Sequence, residues 1–195
     1  MAAIILAGGK SSRMEGANKH LMEFRGETMI GYLIKKLKTV FTEIIISTKD
    51  ENLYQEYDVQ IAVDDFNHQG PLSGIHAGLM ASNDHHNLVI GCDMPLLNLK
   101  LIEYMLGQQL PDLLVPRING QFEPLHAIYS KECIIKIEES IKKEQYKIMD
   151  FWPTVEVKYI EEAEIKEFDP HLYSFFNVNT RDDYNQVLKV LNRLD

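Results

Sequence analysis

The chain has 195 residues, of which 45% are hydrophobic, and a formal net charge of -9. This length and apolar content predict a single domain, residues 1–195, with a full hydrophobic core. The negative charge argues against nucleic acid as a partner, because phosphate backbones bind basic surfaces, and the first apolar run is far shorter than the roughly 20 residues of a membrane span.

That first apolar run, Ala2–Ala7, predicts a buried strand that stops at two adjacent glycines, Gly8 and Gly9. Glycines here let a ligand approach the main chain, and successive N–H groups can then form an anion-binding nest. Three cations follow shortly: Lys10, Arg13 and Lys19. The order of strand, glycine turn and basic loop favours polyphosphate binding over a tight turn with solvated cations.

Two common phosphate-binding loops are excluded by their spacing. A Walker A loop has a glycine five residues before its Gly-Lys-Ser, whereas the run Gly9–Ser11 has Ile4 at that place. A dinucleotide fingerprint needs three spaced glycines, but Gly8 and Gly9 are adjacent and serines follow them. Neither a P-loop nor a classical Rossmann cofactor site is therefore expected.

Beyond this loop, apolar residues at helical spacing predict a helix over Thr28–Val40, followed by buried strands at Glu43–Thr48 and Val59–Val63. The second strand runs into the carboxylates Asp64 and Asp65. Strand ends of this kind bind ligands in open α/β sheets, although a solvated turn explains the pair equally well from the residues alone.

The run Gly70–Gly74 opens a predicted helix that extends to about Ala81, with its free N–H groups directed toward the same sheet edge. Leu88–Cys92 is the most apolar of the predicted strands, and Asp93 follows it directly. An aspartate here is usually a turn or capping residue. At the carboxyl end of a central parallel strand it is also a suitable hard-oxygen metal ligand.

The rest of the chain continues the alternation of helices and strands. Helices are predicted over Lys100–Gln109, Lys131–Lys142 and beyond Thr180, and strands near Leu113–Pro116, His126–Tyr129 and Val155–Ile160. We interpret the acidic segment Glu161–Glu167 as a solvated face. The pattern predicts an α/β fold with three layers, α/β/α, around a mostly parallel Rossmann-like sheet.

Two further features concern single residue types. Asn177 and Asn179 are two positions apart, so an extended chain would point them the same way, although paired amides are more often turn formers. Thr180 with Asp183 predicts a capping box. The two cysteines, Cys92 and Cys133, suggest buried thiols in a reducing compartment, so a cytoplasmic location is expected.

The stretch Leu6–Lys19, L-A-G-G-x-x-x-R-M followed by a lysine, resembles the signature loop of nucleotidyltransferases that attach NMP to phosphorylated acceptors. Within that group it is most similar to the molybdenum cofactor guanylyltransferase family. Other segments match that family in the same order: Asp64, Gly70–Gly74, Gly91–Pro95, Pro124–Tyr129 and Asn177–Thr180. The similarity therefore spans nearly the whole chain.

This resemblance implies a nucleotidyltransferase-type fold and the magnesium-dependent transfer of GMP from GTP to Mo-molybdopterin, with release of pyrophosphate. It implies nucleotide binding by Leu6, Ala7, Gly8, Gly9, Lys19, Ser47, Asp64 and Asp93. It also implies catalytic roles for Arg13, Lys19 and Asp93, with Mg²⁺ on Asp93, and places Asn177 and Asn179 near the acceptor. Molybdoenzyme apoproteins or their chaperones are implied as further partners.

Three positions depart from the family pattern. Glu15 replaces a glycine, Asn18 stands where aspartate is frequent, and Ser47 stands where a nucleotide-contacting asparagine is often found. Two alternatives stay open. One is another nucleotidyltransferase, acting on a sugar phosphate or transferring cytidylate to molybdopterin, and the other is a nucleotide-binding regulator that has lost catalysis.

Overall fold

A computed structural model describes residues 1–8, 21–64 and 70–194, together with the backbone of residues 13–14 and 17–18. None of the helices in these ranges is both long and apolar enough to cross a membrane. The strands are β1 (Ala2–Leu6), β2 (Arg13–Met14), β3 (Ala17–Asn18), β4 (Glu23–Phe24), β5 (Glu27–Thr28), β6 (Glu43–Thr48), β7 (Gln60–Val63), β8 (His86–Gly91), β9 (Leu113–Ile118), β10 (Gln121–Phe122), β11 (His126–Ser130) and β12 (Val157–Glu161). The α-helices are α1 (Met29–Leu37), α2 (Pro71–Ala81), α3 (Leu99–Leu106), α4 (Cys133–Lys142), α5 (Glu162–Phe168) and α6 (Arg181–Leu194).

Eight of the described strands form one sheet in the order β10-β9-β11-β8-β1-β6-β7, with β12 paired to β9. β1 lies parallel to both β6 and β8, and β6 lies parallel to β7. β11 is antiparallel to its neighbours β8 and β9, whereas β12 is parallel to β9. The predicted mostly parallel α/β fold is confirmed, and the antiparallel insertion of β11 is a finding that the alternating pattern did not reveal.

Strand β1 shows why this sheet is covered on both faces. Every residue of β1 is fully or nearly fully buried, and alternate side chains enter different cores. Ala3 and Ile5 belong to one hydrophobic cluster, while Ile4 and Leu6 belong to the other. Since side chains alternate across a strand, an uninterrupted apolar run is what a strand buried on both faces requires.

The helices supply the two outer layers. The first core cluster is closed by apolar side chains of α1, α3 and α5, and the second by those of α2 and α4. Helix α5 lies in the acidic segment that we expected to be a solvated face. Its acidic side chains are exposed or half-buried, but Ile165 is fully buried and anchors the helix to the first core.

Helix α6 closes a third, smaller cluster with the β4–β5 hairpin and the start of α1. Its buried side chains, Tyr184, Val187, Val190 and Leu191, pack with Phe24, Met29, Leu96 and Val178. The predicted capping box at its start is confirmed, because Asp183 N donates to Thr180 Oγ1 at 3.1 Å and Thr180 N donates to Asp183 Oδ2 at 2.8 Å. This cluster holds the segment before α6 against the loop that follows β8.

Helix α2 approaches β1 so closely that Gly78 has no room for a side chain. A Cβ added there would lie 2.4 Å from Ile4 Cγ2, and Ile4 is fully buried in the centre of the sheet. We expect Gly78→Ala to destabilise the fold by about 1–3 kcal/mol, because overpacking outweighs the gain of roughly 1 kcal/mol in helix propensity. Urea denaturation of the variant measures this cost.

Gly107→Ala is the matched control for this substitution. Its added Cβ would meet the Tyr104 carbonyl at an ordinary 3.5 Å. Its unfolding free energy should change by no more than about 0.5 kcal/mol. An unchanged stability for Gly78→Ala would contradict the close approach of α2 to β1.

Candidate functional site

The parallel strands β1, β6, β7 and β8 all end at one edge of the sheet, which we call the carboxyl edge. Backbone hydrogen bonds continue across this edge past the strand ends. Ala7 N donates to Ser47 O at 2.9 Å, Cys92 N to Leu6 O at 3.1 Å, and Asp64 N to Thr48 O at 2.9 Å. The edge is therefore rigid, and loops from four neighbouring strands leave it side by side, which is where open α/β sheets bind ligands.

The central part of the edge is the end of β1 and the first glycine after it. The Ala7 carbonyl accepts a hydrogen bond from the buried Tyr54 hydroxyl at 3.3 Å, so both polar groups of the Ala7 main chain are paired within the protein. Gly8 is exposed, and a Cβ added there would meet no described atom within 4 Å. Among the described residues, none therefore blocks the approach of a ligand to the main chain at Gly8. No sequence pattern pointed to Tyr54.

Ser47, at the end of β6, is 2% exposed, and its hydroxyl donates to the Gly74 carbonyl at 2.8 Å. A Cβ added at Gly74 would lie 3.3 Å from Ser47 Oγ and 3.4 Å from Leu6 Cδ2. The glycine therefore lets the first turn of α2 approach the strands. In the structure Ser47 joins β6 to α2, and its nucleotide contact stays a prediction.

Helix α2 begins at this edge with Gly70 in the N-cap position and Pro71 in its first turn, and Gly70 has no side chain that could cap the N-terminus. Proline suits this position because the first N–H groups of a helix have no partner within the helix. The helix start therefore brings a positive dipole end to the carboxyl edge, as the sequence predicted.

Asp64, just after β7, lies at the same edge. Its side chain is 6% exposed, and its Oδ2 atom is 3.9 Å from the ammonium group of Lys49, which follows β6. A carboxylate this deeply placed requires compensation of its charge, and Lys49 supplies part of it. The structure thus favours a buried, paired carboxylate over the solvated turn, while the role of Asp64 in nucleotide binding stays a prediction.

Asp93 lies in the turn that follows β8, where Met94 N donates to Gly91 O at 3.3 Å. Its carboxylate folds back over the main chain of Gly91, since a Cβ added at Gly91 would lie only 2.6 Å from Asp93 Oδ1. Gly91 therefore leaves the space that the carboxylate occupies. The side chain of Asp93 is half-buried, so a ligand at the carboxyl edge can reach it.

The segment before α6 reaches Asp93 directly. Val178 N donates to the Asp93 carbonyl at 2.8 Å, and Val178 is fully buried. Its neighbours Asn177 and Asn179 are half-buried and exposed, respectively, which is the alternation that an extended segment gives. The Asn179 main chain is fixed in turn, because its N–H donates to Asp183 Oδ2 at 2.9 Å. The structure thus brings the two predicted amides beside the predicted metal ligand.

Several predicted residues lie outside the described residues. These are Gly9, Lys10, Glu15, Lys19 and Asp65, together with the side chains of Arg13 and Asn18. The described backbone pairs Arg13 with Asn18 and Met14 with Ala17 as a short antiparallel hairpin. Their roles stay predictions from the sequence.

His126 lies behind this edge, opposite Ile90 at the start of β11. It is fully buried, its ring centroid is 4.8 Å from that of Phe175, and neither ring nitrogen has a hydrogen-bond partner among the described residues. Burial lowers the pKa of His126 to about 4, although the Asp169 carboxylate opposes that change. The imidazole is therefore neutral at physiological pH.

This buried histidine predicts an acid-sensitive stability. An unfolded histidine has a pKa of about 6.5 and binds a proton below it, whereas the folded protein binds that proton only near pH 4. The contribution of neutral His126 to the free energy of unfolding is therefore fully present above about pH 6.5. It falls by about 3 kcal/mol as the pH falls to about 4. His126→Phe should remove this component, as urea denaturation at about pH 7 and about pH 4.5 would measure.

His171, an exposed histidine, gives the control for this pH dependence. His171→Phe should keep the wild-type difference in unfolding free energy between the two pH values. If His126→Phe also kept it, the neutral buried imidazole would not be the source of the acid sensitivity.

The donors at this edge fit a magnesium ion. Magnesium prefers oxygen ligands and is commonly held by one or two carboxylates together with substrate phosphates. Asp93 supplies a carboxylate, and Asn177 and Asn179 supply amide oxygens on the adjacent segment. No cluster of three or more His, Cys, Asp or Glu side chains occurs among the described residues.

Comparisons with known proteins agree with this architecture. The family model of the MobA-like NTP transferase domain matches residues 3–155. A probable molybdenum cofactor guanylyltransferase from Pelotomaculum thermopropionicum is 41% identical over 181 residues, which cover 92% of this chain and 88% of the relative. Another from Methanosarcina mazei is 33% identical over 200 residues, covering 96% of this chain and 89% of that one.

Solved structures show the same fold. The crystal structure of molybdopterin-guanine dinucleotide biosynthesis protein A from Archaeoglobus fulgidus has a TM-score of 0.84 and 26% identity, covering 99% of this chain and all of that one. A nucleotidyl transferase from Methanothermobacter, at 16% identity and a TM-score of 0.73, is alike in fold alone.

Proposed function

Because this chain belongs to the MobA-like NTP transferase domain family, we propose that it transfers GMP from GTP to Mo-molybdopterin, forming the guanine dinucleotide of the cofactor and releasing pyrophosphate. The observation that carries the proposal is the hydrogen bond from Val178 N to the Asp93 carbonyl. This main-chain bond holds the segment that carries Asn177 and Asn179 against the turn that carries the Asp93 carboxylate at the end of the central strand β8. The relatives named above support the choice of guanylate and molybdopterin.

The chemistry needs little from the protein beyond alignment and charge. The terminal phosphate of molybdopterin is already a nucleophile, so one of its oxygens bonds to the α-phosphorus of GTP. The bond from that phosphorus to the bridging oxygen breaks, and pyrophosphate leaves with the electron pair. No serine, cysteine or general base is required, and catalysis consists of positioning the phosphates and stabilising negative charge.

We assign the nucleotide to the β1, β6 and β7 part of the carboxyl edge. The exposed Gly8, the start of α2 with a glycine at its N-cap, and the paired carboxylate of Asp64 support this assignment. Arg13 and Lys19 are proposed to neutralise the phosphates, Lys19 near the α-phosphate where charge develops. Leu6, the last residue of β1, and Ala7, which follows it, are proposed to lie beneath the nucleotide.

We assign the acceptor to the Asp93 part of the edge. Asp93 would hold magnesium with phosphate oxygens, and Asn177 and Asn179 would orient the acceptor phosphate. The ion, when bound, neutralises phosphate charge and polarises the α-phosphorus. A location in the cytoplasm, and a contact with molybdoenzyme apoproteins or their chaperones, are part of the same proposal.

A competition among nucleotides tests the proposed function. Purified protein with Mo-molybdopterin and Mg²⁺ should release pyrophosphate faster with GTP than with CTP, ATP or UTP, and should attach labelled GMP to the pterin. Guanine presents adjacent N1–H and amino donors, and a buried carboxylate such as Asp64 accepts from both. A mismatched buried acceptor costs roughly 1–3 kcal/mol, which corresponds to about tenfold discrimination or more.

Variants of Asp64 locate this selectivity. Asp64→Ala should narrow the preference for GTP over ATP, while Asp58→Ala, which removes a fully exposed carboxylate, should preserve it. Faster transfer from CTP would replace the guanylyl assignment by the cytidylyl alternative. Binding of GTP without transfer to any acceptor would favour the regulator.

A further inference from the structure

The segment of residues 169–179, which we call the strap, runs from the end of α5 to the amide pair. It contains little regular structure, but side chains hold it at several points. Both oxygens of Asp169 accept main-chain hydrogen bonds, Oδ1 from Tyr173 N at 3.1 Å and Oδ2 from Ser174 N at 2.7 Å. Asp169 is 3% exposed and Ser174 is fully buried, so these bonds are shielded from water.

Asn98 connects this turn to the loop that carries Asp93. Its main-chain N–H donates to Ser174 Oγ at 2.9 Å, and its side-chain amide donates to the Phe168 carbonyl at 2.7 Å. The same side chain caps α3, because its Oδ1 accepts from Lys100 N and Leu101 N. One residue thus ties the end of the Asp93 loop to both ends of the turn at Asp169.

The far end of the strap meets the same loop a second time. Val178 N donates to the Asp93 carbonyl at 2.8 Å. Between the two attachments the Phe175 ring packs on buried His126, and Asn177 Nδ2 donates to the Phe175 carbonyl at 3.5 Å. The position of the amide pair relative to Asp93 is therefore determined by contacts that begin at Asp169.

We propose that Asp169 and Ser174 are positioning residues for the acceptor half of the reaction, which hold Asn177 and Asn179 in register with Asp93. This inference rests on the proposed function and deepens it. The hydrogen bonds of the two residues given above join them to Asn98 and to the turn itself, and none of these bonds involves the strands β1, β6 and β7 that we assign to the nucleotide. Loss of the turn would shift the side chains of Asn177 and Asn179 relative to Asp93 and leave GTP binding intact.

The expected effect follows from the sensitivity of transfer to alignment. Asp169→Ala removes both acceptors of the turn and should lower kcat for GMP transfer roughly 10- to 100-fold, the scale of a misplacement of about 1 Å. Asp169→Asn keeps one acceptor oxygen and should be intermediate. Ser174→Ala removes the partner of Asn98 N and should act in the same direction, with the GTP dissociation constant unchanged within about twofold in all three.

Asp112 provides a matched control at the opposite edge of the sheet. Its Oδ2 accepts from Glu156 N at 2.9 Å and its Oδ1 from Ser130 Oγ at 3.3 Å, so it also accepts two hydrogen bonds. Asp112→Ala should lower the melting temperature by an amount similar to that of Asp169→Ala, without a change in kcat. Hydrogen exchange should show faster exchange of the amides of Ser174 and Val178 in the Asp169 and Ser174 variants only.

The experiment compares kcat, the KM for Mo-molybdopterin, GTP affinity, melting temperature and amide exchange in the full chain. Equal kcat in folded Asp169→Ala and Asp112→Ala, or a parallel loss of GTP affinity, would overturn the positioning role. A kcat that falls in the order wild type, Asn and Ala, at constant GTP affinity, supports it. If the wild type itself fails to transfer GMP, the proposed function is wrong and the inference falls with it.

Discussion

Asp93→Asn is expected to lower the rate of GMP transfer by about 100-fold or more while leaving the fold intact. The substitution keeps the size of the side chain but removes the charge of a carboxylate at the end of β8. That carboxylate is half-buried, folded over Gly91, and adjacent to the segment that carries Asn177 and Asn179. Transfer measured at saturating GTP over a range of Mg²⁺ concentrations gives the size of the loss.

The control for this prediction is Asp84, which lies at the opposite end of the same strand, β8, from Asp93. Asp84 precedes β8 at the amino edge and pairs with the terminal ammonium of Met1 at 3.3 Å. Asp84→Asn should transfer GMP at the wild-type rate, because it lies at the end of the strand remote from the proposed site. Near wild-type turnover of Asp93→Asn at saturating Mg²⁺ would remove Asp93 from the proposed metal site.

Gly91→Ala is expected to impair transfer almost as strongly without touching a charged group. An added Cβ would lie 2.6 Å from Asp93 Oδ1, closer than two such atoms can approach. The atom that the Cβ would meet belongs to a side chain and not to the backbone, so the carboxylate should rotate away instead of distorting β8. We expect a loss of kcat of roughly 10- to 100-fold with an unfolding free energy within about 0.5 kcal/mol of wild type.

Gly107→Ala again provides the comparison, since its added Cβ makes only ordinary contacts. Transfer by that variant should equal that of the wild type. Gly91→Ala with full activity would show that the conformation of Asp93 over Gly91 is not the one used in the reaction. A large loss of stability would instead place the strain in the strand.

The sequence by itself determined the layered architecture and the strand ends at which we propose the site. The run Ala2–Ala7 predicted a strand buried on both faces, because period-two alternation with apolar residues at every position leaves no solvent face. Asp64 and Asp93 follow apolar runs directly, so their positions at strand ends could be predicted from local pattern alone. The loop from Leu6 to Lys19 pointed to the family because its glycines and cations lie within one short stretch of sequence.

Only the tertiary structure decided which distant groups meet. The bond from Val178 to Asp93, the link from Asn98 to Ser174 and the contact between Tyr54 and Ala7 join residues far apart in the chain. Such contacts depend on how helices and loops pack on the sheet, and the periodicity of the sequence does not indicate this packing.

Packing likewise showed that Gly78 makes room for Ile4 and that the Ser47 hydroxyl donates to the Gly74 carbonyl. Local pattern thus determines the faces and ends of elements, while the pairing of their loops is a property of the assembled core.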